Sequence, residues 1–290
     1  MPRDVNLHDW KGREYQRPLW NYLKKGGRRA VPCWRRRAGK DELCLHFTSE
    51  ATVRRAGTYW YMLPAANQAR KAIWDAVNPK TGRRRIDDAF PVDLFERRET
   101  DMLLKSKINA STIQVMGSDN FGAGIGSPPV GIVMSEASQS DPMAWAYLSP
   151  ILIENQGWAI FPSTPRGHNF YEGLLDTAMT DPDWFGEVLT VDDTLNEDGS
   201  PMISQKDLLD DLRDKQKMMG DAEGKALWLQ EWYCSFDAAV PGSYYGDVLA
   251  DVATPVVDVT GLTANTAHTI FCRALDAAGN LSTASATTNV

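Results

Sequence analysis

Trp34-Arg35-Arg36-Arg37-Ala38-Gly39-Lys40-Asp41 decides the fold of this 290-residue chain. Before it, residues 30–34 are small, β-branched or aromatic; after it, Leu43, Cys44 and Phe47 recur at i, i+1, i+4 spacing. A strand, a tight turn and a helix ending at Gly57 are therefore expected. Backbone N–H groups converge at such a helix start, and Lys40 stands beside them, as binding of a phosphate requires. Gly39-Lys40 matches the end of a phosphate loop, but Trp34 stands where the first Gly belongs. Asp41 replaces the Ser or Thr whose hydroxyl ligates magnesium. Taken alone, the stretch equally describes a basic turn entering a helix.

Two further strand ends separate these readings. Gly131-Ile132-Val133-Met134-Ser135-Glu136 is an apolar run ending in an acid. A carboxylate just past a buried strand can reach a water held against a terminal phosphate, so Glu136 is the candidate general base. Ser135 occupies the place of the usual Asp, so Asp41 and Ser135 are the candidate magnesium residues, with hydroxyl and carboxylate exchanged between the two loops. Trp158-Ala159-Ile160-Phe161-Pro162-Ser163-Thr164-Pro165-Arg166-Gly167 is another apolar strand, ending in hydroxyls and a cation. Ser163, Thr164 and Arg166 are candidates for sensing the phosphate and coupling its loss to movement. Upstream, Gln16 has the amide to read an adenine edge, with Tyr15 stacking beside it. The bland alternatives are a solvated acid, a plain strand-to-loop turn and a surface Tyr-Gln pair.

β-rich runs at 30–34, 58–63, 112–116, 131–134, 157–161 and 187–191 alternate with helical stretches. This predicts an α/β fold with a mostly parallel central sheet flanked by helices. A second helix is expected after Pro64, carrying Ile73 and Trp74. Ser204 with Asp207 resembles a capping box opening a helical pair broken near Gly220, within a lid region at about 195–235. After Tyr245 the composition shifts to Thr, Ala, Val and Asn, so a boundary is placed near residue 250, with a short β-rich tail over 251–290. The formal charge is −7, yet Lys and Arg crowd the stretch up to Lys40 and acids dominate after Asp181, so whole-chain charge is a poor guide to partners. The four cysteines lack zinc-ligand or redox-motif spacing and read as small buried thiols. No apolar run reaches the roughly 20 residues of a membrane span, and the start lacks an apolar signal core. A soluble, unsecreted protein is expected.

In their order, these segments resemble the large terminase subunits of tailed phages over residues 10 to about 248. Tyr15-Gln16 is similar to that family's adenine motif, Arg35 to Asp41 to its deviant phosphate loop, Val133 to Glu136 to its acidic motif, and Ser163-Thr164-Pro165 to its coupling motif. Two further segments, Asp141 to Leu148 and Phe236 to Gly246, look like family landmarks without an obvious chemical role. The resemblance implies an additional-strand P-loop ATPase that binds ATP and Mg2+ through Tyr15, Gln16, Arg36, Arg37, Ala38, Gly39, Lys40 and Asp41. Lys40, Glu136 and an arginine finger would be catalytic; Arg35 is placed first, although Arg36 and Arg37 remain open. It further implies a homo-oligomeric ring that translocates double-stranded DNA, with a portal protein and a small terminase subunit as partners, in the cytoplasm of a phage-infected or prophage-carrying bacterium. Arg83 to Arg85 form a second basic cluster, a candidate DNA contact.

Large terminases carry a nuclease domain after the motor, and 247–290 is too short for one, so no endonuclease activity is expected. That tail instead resembles part of a fibronectin type III domain, with His268 at the corner position; such a sandwich needs about 100 residues. The alternatives are a nucleotide- or DNA-binding remnant without turnover, a helicase-like remodelling ATPase, or a surface-binding module.

Overall fold

The computed structural model describes residues 10–124, 126–237 and two short strands near the C-terminus, with side chains for 10–122 and 126–237. Residues 1–247 and 248–290 form separate compact units. In the first, helix α1 (Arg17–Lys24) precedes strand β1 (Arg29–Trp34), and α2 (Lys40–Arg54) leads to β2 (Thr58–Leu63). Next come α3 (Ala66–Ala69), continued by a π-helical turn over Arg70–Trp74, and α4 (Arg85–Ala89). Strands β3 (Phe95–Arg98), β4 (Leu103–Ser106), β5 (Thr112–Gly117) and β6 (Pro129–Met134) follow. Then α5 (Pro142–Glu154), β7 (Trp158–Ile160), α6 (Phe170–Thr180) and β8 (Trp184–Leu189) precede the helical pair α7 (Gln205–Met219) and α8 (Asp221–Tyr233). The second unit contributes β9 (Thr269–Cys272) paired antiparallel with β10 (Ala286–Asn289). The remainder of the fibronectin-like stretch lies outside the described residues.

Eight strands form one sheet in the order β3-β4-β5-β2-β6-β7-β1-β8. Every pairing from β5 to β8 is parallel; β3-β4 and β4-β5 are antiparallel. The expected α/β architecture is thus observed, with β7 inserted between β1 and the strand before Glu136, as expected of an additional-strand sheet. Both faces of β1, β2 and β6 are buried, so these strands read as continuous apolar runs. Alternate residues serve opposite layers: Tyr59, Tyr61 and Leu63 pack beneath α1, α2 and α4, while Trp60 and Met62 pack with α5 and α6.

Several details differ from expectation. The last predicted strand, 187–191, lies at Trp184–Leu189, because this register pairs all six residues of β1. Val191 leaves the sheet and its N–H donates to Trp232 O at 2.8 Å. The β3–β4 hairpin went unassigned, since Glu96, Arg97, Arg98 and Lys105 mask the buried Phe95 and Leu104. The landmark at 141–148 is a capped helix start: Asp141 accepts from Met143 N–H at 2.8 Å, and Pro142 occupies the first helical position. Ser204 caps α7 through Asp207 N–H at 3.1 Å, and Gly220, at φ +93°, separates α7 from α8. Among the described residues, no helix is long and apolar enough to cross a membrane.

Candidate nucleotide site

The loops after β1, β6 and β7 emerge together at the carboxyl ends of their strands, where open α/β sheets bind ligands. The loop after β1 runs from Arg35 to Gly39. Gly39 has φ +81°, and a Cβ there would meet Gln16 Nε2 at 2.8 Å, so both backbone and space call for glycine. Its carbonyl accepts from Leu43 N–H at 3.1 Å, the first bond of α2, which leaves the N–H groups of Lys40, Asp41 and Glu42 without intrahelical acceptors.

Lys40 opens that helix, where the dipole disfavours a cation. It is 8% exposed, and its ammonium donates to Trp34 O at 3.0 Å, Arg35 O at 3.2 Å and Thr164 Oγ1 at 2.8 Å. Thr164 Oγ1 donates in turn to Trp34 O at 3.0 Å. One buried amine therefore joins the loop after β1 to the loop after β7. A cation and a helix N-terminus concentrated in one place are balanced best by an anion.

Asp41, one residue on, accepts from Tyr61 Oη at 2.8 Å and from Ser135 Oγ at 2.5 Å, both through Oδ1. The two residues chosen as magnesium candidates thus meet, although 94 positions apart. Their donor set is all oxygen, a carboxylate and a hydroxyl, which suits magnesium; that ion characteristically takes one or two carboxylates and fills its remaining positions with phosphate and water.

Glu136 sits in the left-handed region at φ 54°, ψ 44°, an uncommon conformation for a residue with a side chain and one that clusters at functional sites. Burial is the main influence raising its carboxyl above the usual range, with Asp41 adding to it and Lys40, Arg166 and Arg36 opposing. A carboxylate with raised proton affinity is suited to accept a proton near neutral pH. The turn that follows is tied to β7: Ser138 N–H donates to Ser163 Oγ at 3.1 Å, and Ser138 Oγ to Thr164 O at 2.8 Å. Ser163 is fully buried and engages the turn after Glu136 directly.

Three of the sequence candidates are engaged by partners within the fold. Gln16 is 2% exposed; its amide donates to Ala38 O at 3.0 Å and Gly39 O at 3.2 Å and accepts from Arg13 N–H at 2.9 Å. Tyr15 Oη also donates to Ala38 O, at 3.1 Å. The pair braces the loop after β1, and both faces of the Gln16 amide are bonded to protein. Arg35 is 2% exposed, donates to Thr194 Oγ1 at 2.5 Å and stacks over Trp232 at 5.6 Å. It anchors the loop against α8, leaving Arg36 and Arg37 as the finger candidates on that loop. Arg83 and Arg84 pair with Asp88, Asp87 and Glu99, and Arg85 donates to Ala72 O, so this cluster is largely neutralised within the fold.

Sequence reading missed Glu231 of α8, which faces Arg36 at 3.3 Å and Arg166 at 3.7 Å. A lone acid inside a helix rich in aromatic residues carries no motif. Thr194, Ser138 and Tyr61 were missed for the same reason.

No protein-family profile and no characterised protein sequence matches the chain. Solved structures do. The ATPase domain of the large terminase of Thermus phage P74-26 superposes with a TM-score of 0.58 at 16% identity, covering 81% of this chain and all of that one. The large terminase of a thermophilic bacteriophage in complex with ATP-γ-S gives 0.56 at 12% identity, over 78% of this chain and 53% of that one. The same terminase with ADP gives 0.54 at 12% identity. The fold is therefore that of a large-terminase ATPase domain, and this chain spans about half of the longer terminase.

Proposed function

We propose that this chain is the motor ATPase domain of a DNA-packaging machine, hydrolysing ATP to drive double-stranded viral DNA into a procapsid. One observation carries the proposal: Lys40, Thr164, Glu136 and the Asp41–Ser135 pair come from the ends of three strands and converge on one helix N-terminus. The shared fold, and the ATP-γ-S and ADP bound by two of its structural neighbours, support it.

The N–H groups at the start of α2 and the Lys40 ammonium bind the outer phosphates. Asp41 and Ser135 would hold magnesium, which when bound would offset phosphate charge. Glu136 takes the proton of the attacking water, and burial of its carboxyl keeps its proton affinity matched to that task. Arg36 or Arg37 offsets charge as the bond breaks. Loss of the terminal phosphate changes what Lys40 holds, and Thr164 and Ser163 carry that change to the loop after β7. A ring of such subunits on a portal, supplied by a small terminase subunit in the cytoplasm of the host, would convert this change into DNA movement.

Magnesium-dependent ATP hydrolysis by the chain, with and without duplex DNA, tests the proposal. Lys40→Ala is expected to lose binding and turnover. Glu136→Gln should keep binding and lose turnover by about 100-fold or more. Undiminished hydrolysis in both variants would exclude this site.

A further inference from the structure

Helix α1 closes on Gly26, at φ +92°: Gly26 N–H donates to Leu23 O at 3.1 Å and Gly27 N–H to Tyr22 O at 3.0 Å. A Cβ on Gly27 would meet the Tyr22 ring at 2.3 Å, so the ring lies directly against this loop. Tyr22 Oη donates to Arg29 O at 2.9 Å and to Asp183 O at 2.7 Å, lacing the loop to the starts of β1 and β8. A cavity of about 560 Å3 opens there, at the amino ends of these strands and away from the loops of the candidate nucleotide site. Its walls combine the cations Lys25, Arg28 and Arg29 with Trp184 and Asp183.

The Arg29 guanidinium is fixed by Gly157 O at 2.9 Å and Arg28 O at 2.8 Å, and it lies over the Trp145 ring at 5.3 Å. Burial lowers its proton affinity below the ordinary arginine value, and the neighbouring Arg28 charge adds to this. Among the described residues no carboxylate pairs with Lys25, Arg28 or Arg29, whereas Lys24 beside them is held by Glu50. In a chain with a formal charge of −7, three uncompensated cations around one cavity favour an anion from outside. The shape and setting of the cavity select its kind. Duplex DNA presents a convex row of phosphates, which calls for an extended basic strip rather than a concavity. A peptide carboxylate can enter a cavity, and the adjoining strand suits a peptide backbone. β8 is the last strand of the sheet, so among the described residues its outer edge has no strand partner. We infer that this cavity, with the edge of β8, receives an extended acidic segment of a partner protein, whose carboxylates meet Lys25, Arg28 and Arg29. The site is independent of the nucleotide reading.

A fluorescein-labelled peptide of alternating Glu and Thr, titrated into the full chain and followed by fluorescence anisotropy, tests the inference. Wild type should bind it with an affinity that falls as salt is raised, and should not bind the counterpart with Lys for Glu. The double variant Lys25→Glu, Arg28→Glu should bind at least about tenfold more weakly, because like charges then face each other. Both side chains are exposed and make no ion pair among the described residues, so the variant should melt as wild type does. Should it not fold, the single variant Arg28→Ala must still weaken binding. A wild-type chain that does not bind the peptide, or a folded variant that binds it equally well, overturns the inference. Duplex DNA bound through the same two residues, with no binding of the peptide, would assign the cavity to nucleic acid and overturn it. Salt-sensitive self-association that the double variant loses, again without peptide binding, would place a second copy of the chain there and overturn it as well.

Discussion

Ser135 Oγ donates to Asp41 Oδ1 at 2.5 Å, joining the end of β6 to the first turn of α2. In a standard phosphate-loop site a hydroxyl follows the lysine and a carboxylate ends the acidic strand; here the two have changed places. In the proposed site the Asp41 carboxylate would be the stronger magnesium ligand, with Ser135 orienting it. Asp41→Ala should raise the magnesium concentration for half-maximal hydrolysis about tenfold or more, since a hard cation depends on its carboxylate. Ser135→Ala should raise it only a few-fold. Equal effects in a magnesium titration would remove the exchange of roles.

Gln16 is bonded to the phosphate loop rather than open to a base. Gln16→Ala removes two bonds to loop carbonyls, each worth about 1 kcal/mol. Affinity for ATP should fall about tenfold, while the ratio of ATP to GTP affinity stays as it was. A competition titration that finds the ratio collapsed would restore adenine reading to Gln16.

Glu136 acts as a base only when deprotonated, and burial raises its carboxyl above the usual range. The rate should therefore fall as pH is lowered through a value above that of an ordinary glutamate. The same raised value means that the folded chain keeps a proton which the unfolded chain gives up, so stability declines as pH rises through the window between them. Glu136→Gln should lose turnover and melt higher above that window. A pH–rate profile with no acid limb above the ordinary range would count against Glu136 as the base.

Glu187 on β8 accepts from Trp34 Nε1 at 2.9 Å, yet burial pushes its carboxyl up to about 7. In the unfolded chain it titrates near 4.5. The stability contributed by neutral Glu187 is present below that lower value and lost as pH rises through the upper one. Glu187→Gln, which keeps an acceptor for Trp34, should match wild type near pH 4.5 and be more stable at pH 8, by at most about 3 kcal/mol. Thermal melts at the two pH values check this, and an equal gain at both would place the effect elsewhere.

Most of the sheet was legible in the sequence. Strands buried on both faces appear as uninterrupted apolar runs, as at 58–63, where the expected and observed bounds coincide. The β3–β4 hairpin was not, because at the margin of the sheet Arg97 is held by Asp87 rather than exchanged for an apolar residue. The positions of Lys40, Glu136, Ser163 and Thr164, at a helix start or past a strand end, were legible because the strands and the helix are recognisable.

The amino-acid sequence by itself determined the alternation of strand and helix, the turn between β1 and α2 and the acid ending β6, since these depend on periodicity and on neighbours within a few residues. Only the tertiary structure decided that Arg35 and Gln16 brace the loop, that Ser135 reaches Asp41, and that Glu231 meets Arg36 across 195 positions. An arginine or glutamine has the same donors whether it meets a nucleotide, a carbonyl or another helix. Which partner it meets is set by packing between segments far apart in the chain, and the sequence around it carries no trace of that choice.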